Sequence, residues 1–329
     1  MNQRVSDPLP IPRLAVGYYP GGALPEFSDS VLAEIRFGNA CVFSTSGLHI
    51  NVELDAIGAA APVEIWHAQG PVQRDVDGSV RYAHDGQHVF AVVEADERKH
   101  GGILGATEFA YAEVRRFQRS SPYPHVLRMW NYLDDANQGA GDMERYRQFC
   151  VGRTRGLVDA LSESYPAASA VGRQRTTNIL QVYWLAGRLA GVAVENPRQV
   201  SAYRYPHIYG PASPSFSRAT IAPDATLMIS GTASIVGHAS HHIGDATAQL
   251  DETLRNLDAL IGQAARQRPG VGHSLANDTH LKIYVRDAAQ LAGIDEHLRS
   301  KLPDVRATYL AADICRRELL LEIECAQSV

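Results

Sequence analysis

The chain ends on Cys315-Arg-Arg-Glu-Leu-Leu-Leu-Glu-Ile-Glu-Cys325-Ala-Gln-Ser-Val329, and this stretch decides how the C-terminal half folds. Its apolar, alternating composition predicts a β-strand over residues 317–325. Because strand side chains alternate in direction, Glu322 and Glu324 share one face. A carboxyl group in a partly apolar site has a raised pKa and can donate a proton. From these residues alone, solvated glutamates on an edge strand are the better interpretation, because exposed glutamate is the norm.

Composition places the chain among ordinary globular proteins. It has 329 residues, 45% of them hydrophobic and 20% charged, which suits one large domain or two of ordinary size. The net charge is −5 and no basic cluster occurs, which argues against a nucleic-acid partner. No apolar run has the length of a membrane span, and the first residues lack the apolar core of a signal peptide. We therefore expect a cytoplasmic protein with neither membrane nor nucleic-acid partners.

The cysteines and histidines show no metal-binding pattern. The four cysteines are Cys41, Cys150, Cys315 and Cys325. They are widely separated and form no CxxC pair, which favours free thiols in a reducing compartment. His238, His241 and His242 match no standard ligand spacing. We predict neither a metal nor another cofactor.

The second half has the clearer pattern of elements. Asp245 can cap a helix by accepting a hydrogen bond from a first-turn N–H, and an apolar stripe follows it. The stripe consists of Leu250, Leu254, Leu257 and Ile261. The other predicted elements are strands at 217–221, 227–230, 281–285, 307–312 and 317–325 and a helix at 288–302. Their order is β-β-α-β-α-β-β.

The first half ends in a comparable run. Helical patterns at 109–119 and 144–161 flank a strand at 126–133, and strands at 178–186 and 192–194 follow. Earlier strands are predicted at 13–18, 40–44, 49–54, 63–68, 80–83 and 88–94. Two related α+β halves of mainly antiparallel sheets packed with helices are the natural inference. We place the division between residues 1–195 and 196–329.

Several C-terminal segments resemble the RidA (YjgF) family. They are Pro214-Ser-Phe-Ser-Arg-Ala219, Leu227-Met-Ile-Ser-Gly-Thr232, the helix containing Leu254-Arg-Asn-Leu257, and the terminal Leu-Glu-Ile-Glu-Cys-Ala strand. In that family such segments line a cleft that binds small carboxylic acids. The resemblance implies that Arg316, near the start of the last hairpin, grips a carboxylate.

Over most of its length the chain is similar to a narrower family, the chorismatases. The similar segments are Met129-Trp-Asn-Tyr-Leu133, Glu144-Arg-Tyr-Arg-Gln-Phe-Cys-Val-Gly-Arg153, Ser201-Ala-Tyr-Arg-Tyr-Pro206, Tyr209-Gly-Pro211, Phe216-Ser-Arg218, Ile229-Ser-Gly-Thr-Ala-Ser234 and the C-terminal Cys/Glu strand. Each segment is weakly specific, and their joint order makes the match. The resemblance implies two RidA/YjgF-like halves that act on chorismate, with the site mainly in the C-terminal half.

The resemblance also implies roles for individual residues. Chorismate carries two carboxylates and an enolpyruvyl ether, and cleaving the ether needs a proton on the methylene carbon. By position, the donor is Glu322. Planar guanidinium groups suit carboxylates, and the candidates are Arg316, Arg218, Arg153 and Arg147. Phenolic hydrogen bonds are expected from Tyr132 and Tyr209.

The chorismatase family divides by product. One type admits water and releases pyruvate and a cyclohexadiene diol. Another excludes water and forms 3-hydroxybenzoate, sometimes with 4-hydroxybenzoate. A cysteine beside the site is associated with this aromatising type, and Cys315, seven residues before Glu322, fills that position. Gly231 is our candidate for a small pocket residue that also differs between the types. The resemblance therefore favours 3-hydroxybenzoate.

Other interpretations stay open at this point. A free cysteine such as Cys315 is by default an inert core thiol, and the arginines near Arg147 and Arg153 can form the solvated face of a helix. The hydrolytic outcome on the same fold is one alternative function. An imine deaminase or a carboxylate-binding module of the RidA type is another, and the long N-terminal half argues against it. Two halves in one chain can satisfy each other's interfaces, so we expect a monomer.

Overall fold

The computed structural model describes residues 13–20, 29–38, 43, 47–68, 70–157, 165–276 and 278–327. Within these residues, the first sheet has four strands: β1 (Ala15–Tyr19), β2 (Val31–Phe37), β3 (Leu48–Val52) and β4 (Val63–His67). Their spatial order is β1-β4-β2-β3, and β2 runs parallel to β3. This sheet precedes the two larger sheets that carry the candidate site.

The second sheet has six described strands and two helices. The strands are β5 (Gln73–Asp77), β6 (Val80–His84), β7 (His88–Asp96), β8 (His125–Asp134), β9 (Ala167–Arg173) and β10 (Ile179–Gly187). Helix α1 (Ile103–Ser120) connects β7 to β8, and helix α2 (Arg145–Leu157) lies between β8 and β9. The spatial order is β5-β6-β7-β10-β8-β9.

The third sheet also has six described strands. They are β11 (Val192–Val194), β12 (Ala219–Ile221), β13 (Leu227–Thr232), β16 (His280–Val285), β17 (Arg306–Ala311) and β18 (Leu321–Gln327), in the order β11-β12-β13-β18-β16-β17. Between β13 and β16 lie a small hairpin, β14 (Ile235–Val236) and β15 (Ala239–Ser240), and helix α3 (Ala246–Gln267). Helix α4 (Leu291–Lys301) joins β16 to β17. Short 3₁₀ turns cover Gly141–Met143, Ala202–Arg204, His207–Tyr209 and Ala288–Gln290.

The two six-stranded sheets have the same topology. In each, the last strand in sequence, β10 or β18, is inserted between the third and fourth strands. In each, the fourth and fifth strands, β8 with β9 and β16 with β17, run parallel, and the other pairs are antiparallel. The prediction of an α+β chain with two related halves, mainly antiparallel sheets packed with helices, is confirmed. The boundary after residue 195 stays a prediction; β11, just before it, pairs with β12 of the C-terminal sheet.

Helix α3 begins where the sequence predicts. The Asp245 side chain accepts a hydrogen bond from the Ala248 N–H, which satisfies one of the free donors of the first turn. Leu250, Leu257 and Ile261 of the predicted stripe are buried in a cluster with the apolar face of the third sheet. This burial fixes α3 across the strands that carry the candidate acid.

A single apolar cluster connects all three large sheets. It contains Trp66 from β4, Trp130 from β8, Tyr183 from β10 and Tyr284 from β16. The Trp66 and Trp130 rings meet edge to face with their centroids 6.0 Å apart, a favoured aromatic geometry. The two halves therefore share one interior, and their relative position is set by packing.

Several sequence predictions need correction. The last strand begins at Leu321 and not at residue 317, because residues 316–319 form a turn in which the Leu319 N–H bonds to the Arg316 carbonyl at 3.1 Å. Strands β2, β5 and β9 are not predicted; β5 is largely polar and exposed, and β9 consists mostly of small residues. The strand predicted at 40–44 lies outside the described residues except Phe43.

Candidate active site

A cavity of about 340 Å³ lies between the two halves and forms the candidate site. Its walls come from α2 and β9 in the first half, from β13 and β18 in the second, and from the loops at 205–218 and 315–318. Single β-bridges, Ala167 with Ser217 and Gly172 with Asp313, join the halves. The volume lies in the range of small-molecule pockets. The N-terminal half contributes a full wall, although the resemblance places the site mainly in the C-terminal half.

Glu322 reaches this cavity from β18. Its side chain is only 5% exposed, and no described residue hydrogen-bonds to its carboxyl group. Burial, reinforced by the nearby charge of Glu324, raises the pKa of Glu322 to about 8, while Arg128 and Arg218 oppose the shift. The carboxyl group is therefore protonated at neutral pH and available as an acid.

Gly231 lies directly against Glu322. A Cβ at this position would be 1.9 Å from Oε1 of Glu322, so any other residue would displace the carboxyl group. The approach depends on an irregularity in β13, where Ile229 pairs with Cys325 but Thr232 pairs with Ile323. Two residues of β13 thus oppose one of β18, which is the pattern of a β-bulge. Gly231, predicted from the sequence as a small pocket residue, therefore lies directly against the Glu322 carboxyl group.

Three of the predicted arginines line the cavity with buried, unpartnered N–H groups. These groups are Nε and Nη2 of Arg153, Nε of Arg218 and Nη2 of Arg316, and none has an acceptor among the described residues. Buried donors without partners are rare and costly, above all when they are charged. The natural acceptors are the oxygens of an anionic ligand in the cavity, and planar guanidinium groups suit carboxylates.

The remaining contacts of these arginines fix their direction. Arg218 donates from Nη2 to the Tyr205 hydroxyl at 2.7 Å and to the Val200 carbonyl at 2.9 Å. Arg153 stacks over the Tyr111 ring, with its Cζ 4.9 Å from the centroid. Arg153 is on α2 and Arg218 is in the C-terminal half, so the two halves share the cationic lining.

Arg316, Tyr209 and Arg147 lie on another part of the cavity wall. The Arg316 Cζ is 3.7 Å from the centroid of the Tyr209 ring, and its Nη1 donates to the His238 carbonyl at 2.9 Å. The Tyr209 hydroxyl is 3.1 Å from Nδ1 of His238. Arg147 is 25% exposed and only loosely paired, with Nη1 3.5 Å from Asp142 Oδ1. The cavity thus brings all four predicted arginines and Tyr209 together.

Two thiols line the same cavity. Burial raises the pKa of Cys315 to about 12, with a further contribution from Glu322, and burial raises that of Cys150 to about 12 as well. Both are therefore neutral thiols, unsuited to nucleophilic attack. Tyr146 on α2 also lines the wall, and burial raises its pKa well above the usual value. The sequence interpretation includes Cys315 but misses Cys150 and Tyr146.

Tyr132 does not line this cavity. Its side chain lies in the shared apolar cluster, and its hydroxyl hydrogen-bonds with those of Tyr284 at 3.1 Å and Tyr183 at 3.3 Å. These contacts satisfy the phenol within the protein interior. The placement does not support the predicted substrate contact, and we assign Tyr132 to packing between the halves.

Glu324 is buried, in contrast to the solvated position expected from its sequence. Its side chain is 3% exposed and forms ion pairs with Arg128 at 2.8 Å and Lys282 at 3.0 Å. Lys282 also pairs with Glu64 of β4 at 2.7 Å. In the sequence, Arg128 and Lys282 each lie between apolar residues, in segments with the composition of buried strands. A charged residue in a buried strand requires a buried partner of opposite charge, and this pattern could have predicted the ion pairs from sequence.

No group of three or more His, Cys, Asp or Glu side chains in the described residues is arranged to hold a metal ion. None of the helices in the described ranges is both long and apolar enough to span a membrane.

The fold and site define an α+β protein with a buried acid in an arginine-lined cavity between two halves. Residues 64–186 match the family model described as Chorismatase FkbO/Hyg5-like, N-terminal. The chain is 33% identical over 320 residues to a 3-hydroxybenzoate synthase of Streptomyces hygroscopicus, covering 92% of this chain and 92% of that protein. It is 37% identical over 270 residues to a chorismatase of the same organism, covering 79% and 78% respectively.

A solved structure agrees with these sequence matches. A chorismatase crystal structure superposes with a TM-score of 0.85 and 32% identity, covering 96% of this chain and 99% of that chain. The protein therefore belongs to the chorismatase family, as its sequence segments predict.

Proposed function

We propose that this protein is a chorismatase that cleaves the enolpyruvyl ether of chorismate to pyruvate and 3-hydroxybenzoate, with or without 4-hydroxybenzoate. The carrying observation is a protonated, buried carboxyl group, Glu322, in a cavity lined by the unpartnered guanidinium donors of Arg153, Arg218 and Arg316. Chorismate has the matching chemistry, because it combines two carboxylates with an ether that is opened by protonation.

The residues that line the cavity have two roles, substrate binding and proton transfer. The guanidinium groups, with Arg147 and Tyr209 on the wall, hold the dianion in one orientation. Glu322 donates its proton to the methylene carbon of the enolpyruvyl group, which leaves an oxocarbenium ion and a glutamate anion. The bond between the ring carbon and the ether oxygen then breaks, and its electron pair stays on the oxygen, which becomes the keto oxygen of pyruvate. To give 3-hydroxybenzoate, the oxygen of the neighbouring ring hydroxyl moves to the carbon that lost pyruvate, and the proton released on aromatisation returns to the glutamate anion. An aromatising outcome consumes no water, because hydroxybenzoate and pyruvate together contain all the atoms of chorismate.

Cys315 supports the aromatising outcome. Its neutral thiol lies beside Glu322 in the cavity wall, the position that the family resemblance associates with hydroxybenzoate formation. The relative named 3-hydroxybenzoate synthase, which aligns over most of the chain, points to the same product. Gly231 completes this region by allowing Glu322 its close approach.

The proposal includes the setting in which the enzyme works. We infer a cytoplasmic monomer that needs no cofactor and takes chorismate as its only partner, without nucleic acid or membrane. Two halves of like topology that face each other across one cavity within a single chain support the monomer.

Incubation of the purified protein with chorismate, followed by chromatography with mass detection, tests the function. We expect pyruvate and 3-hydroxybenzoate from the parental protein and no turnover from Glu322→Gln, which keeps the shape of the side chain and removes the acid. A non-aromatic diol with pyruvate would overturn the product assignment and support the hydrolytic alternative. Unchanged chorismate would refute the function and favour an imine deaminase or a carboxylate-binding module.

A further inference from the structure

A buried cluster of four charges lies behind Glu322, outside the cavity lining. It consists of Glu64 on β4, Arg128 on β8, Lys282 on β16 and Glu324 on β18. Two acids face two bases, so the charges balance within the cluster. The members come from all three large sheets, and each side chain is almost fully buried. Uncompensated charges are not tolerated at such depth, so each cation is committed to its partners.

Glu324 is the centre of this cluster. Its carboxylate accepts hydrogen bonds from Arg128 Nη2 at 2.8 Å and from Trp130 Nε1 at 2.9 Å, and also from the Ser169 hydroxyl. Lys282 Nζ lies 3.0 Å from the same carboxylate. All of these contacts favour the ionised form, and Lys282 and Arg128 lower the pKa of Glu324 to about 2 despite its burial. Glu324 is therefore a fixed negative charge.

Ser169 connects this charge to the acid. Its hydroxyl donates to Glu324 and accepts from the Gly231 N–H at 2.9 Å and from Arg128 Nη2 at 2.6 Å. The Gly231 N–H can donate across the halves because the bulge in β13 takes it out of the ladder with β18. Gly231 in turn lies against Glu322. The Ser169 hydroxyl thus connects the Glu324 carboxylate to the backbone of Gly231, which lies against the Glu322 side chain.

We propose that Glu324 is a positioning residue that keeps the Glu322 carboxyl group protonated at neutral pH, a role that rests on the proposed acid function of Glu322. The two carboxyl groups lie two residues apart on the same face of β18. Lys282 and Arg128 are bound by Glu324 and Glu64, so the charge of Glu324 acts on Glu322 more strongly than the opposing charge of either Arg128 or Arg218. Next to a charge of the same sign, the second carboxyl group ionises only at a higher pH.

The other groups around Glu322 do not reverse this balance. Those that face it from the packed elements are Arg128 on β8, Arg218 before β12, Tyr146 on α2 and Cys315 in the loop before β18. Arg128 is engaged by Glu324 and Ser169, and the effects of Arg128 and Arg218 on the pKa of Glu322 are each smaller than those of burial and Glu324. Tyr146 and Cys315 are neutral.

The variant Glu324→Gln tests this role through the pH dependence of kcat/KM for chorismate. We expect the alkaline midpoint to fall by about one to two pH units, because the like charge is removed and Arg128 and Lys282 can act on Glu322. At pH 9 the activity, relative to that at pH 6, should be about tenfold to fiftyfold below the parental value. Glu252→Gln is the matched control, since Glu252 is also buried and ion-paired but does not line the cavity. An active Glu324→Gln protein with the parental midpoint overturns the proposal.

A second variant is available if Glu324→Gln does not fold, and a second measurement does not depend on the identity of the substrate. Lys282→Met combined with Glu324→Gln removes one charge of each sign and is used if the single variant does not fold. A smaller fall in the midpoint is expected from it, because Lys282 can no longer act on Glu322, and an unchanged midpoint overturns the proposal. The unfolding equilibrium constants of the parent and of Glu322→Gln can be compared without any substrate. Their ratio should rise about 50-fold from pH 6 to pH 8 when Glu324 is present, and about tenfold or less when Glu324 is replaced by Gln in both proteins. An unchanged rise refutes the coupling, whereas failure to consume chorismate refutes only the proposed function.

Discussion

Replacing Glu322 by Gln should change how the stability of the protein depends on pH. The pKa of this carboxyl group is raised in the fold from 4.5 to about 8. Below pH 4.5 the group is protonated in both the folded and unfolded states, and it contributes no pH dependence. Between these two values the unfolded chain releases the proton and the folded protein keeps it, so stability falls as the pH rises. Above about pH 8 both states are ionised and the penalty is constant.

The magnitude follows from the two pKa values. Each pH unit in the window is equivalent to about 1.4 kcal/mol, and the curve flattens near the upper end. Between pH 6 and pH 8 the parental protein should therefore lose about 2 kcal/mol of unfolding free energy relative to Glu322→Gln, which cannot ionise. Packing differences between Glu and Gln cancel, because the comparison is made across pH and not between proteins at a single pH.

Urea unfolding of both proteins at pH 6, 7 and 8 provides the assay. The difference in unfolding free energy between variant and parent should grow steadily in favour of Gln as the pH rises. A difference that stays constant over this range would refute the raised pKa and with it the acid role of Glu322.

Further predictions concern the cavity and the fold. Gly231→Ala should reduce kcat by about 100-fold with little change in Tm, since the new methyl group displaces the acid; full activity would contradict the close approach. Cys315→Val should shift the products detected by mass spectrometry towards the diol, and an unchanged ratio would remove Cys315 from product control. Asp245→Ala should lower the unfolding free energy by about 1 kcal/mol, through loss of the bond to Ala248, and leave turnover by folded protein unchanged; equal stability would show that the cap contributes nothing.

The sequence was most informative where local rules act alone. The cap at Asp245 and the apolar stripe of α3 depend only on hydrogen bonding and helical spacing, and both are confirmed. The terminal strand was also predictable from alternation, but not its start. A turn at Arg316 replaces the first part of the predicted strand, and this turn brings Arg316 and Cys315 to the cavity. Turn formation there depends on contacts with other segments, which strand alternation cannot reveal.

By itself the sequence determined the α+β class and the repeated order of elements. Through family resemblance it also singled out Glu322 and four arginines, which the cavity brings together. Only the tertiary structure decided which glutamate is neutral. Glu322 and Glu324 have the same local sequence environment, and alternation places them on one face. Glu324 contacts Lys282, Arg128 and Ser169 and is ionised, whereas Glu322 lines the cavity beside Gly231 and is protonated at neutral pH. These partners come from distant strands, and desolvation and charge depend on what surrounds a side chain in space.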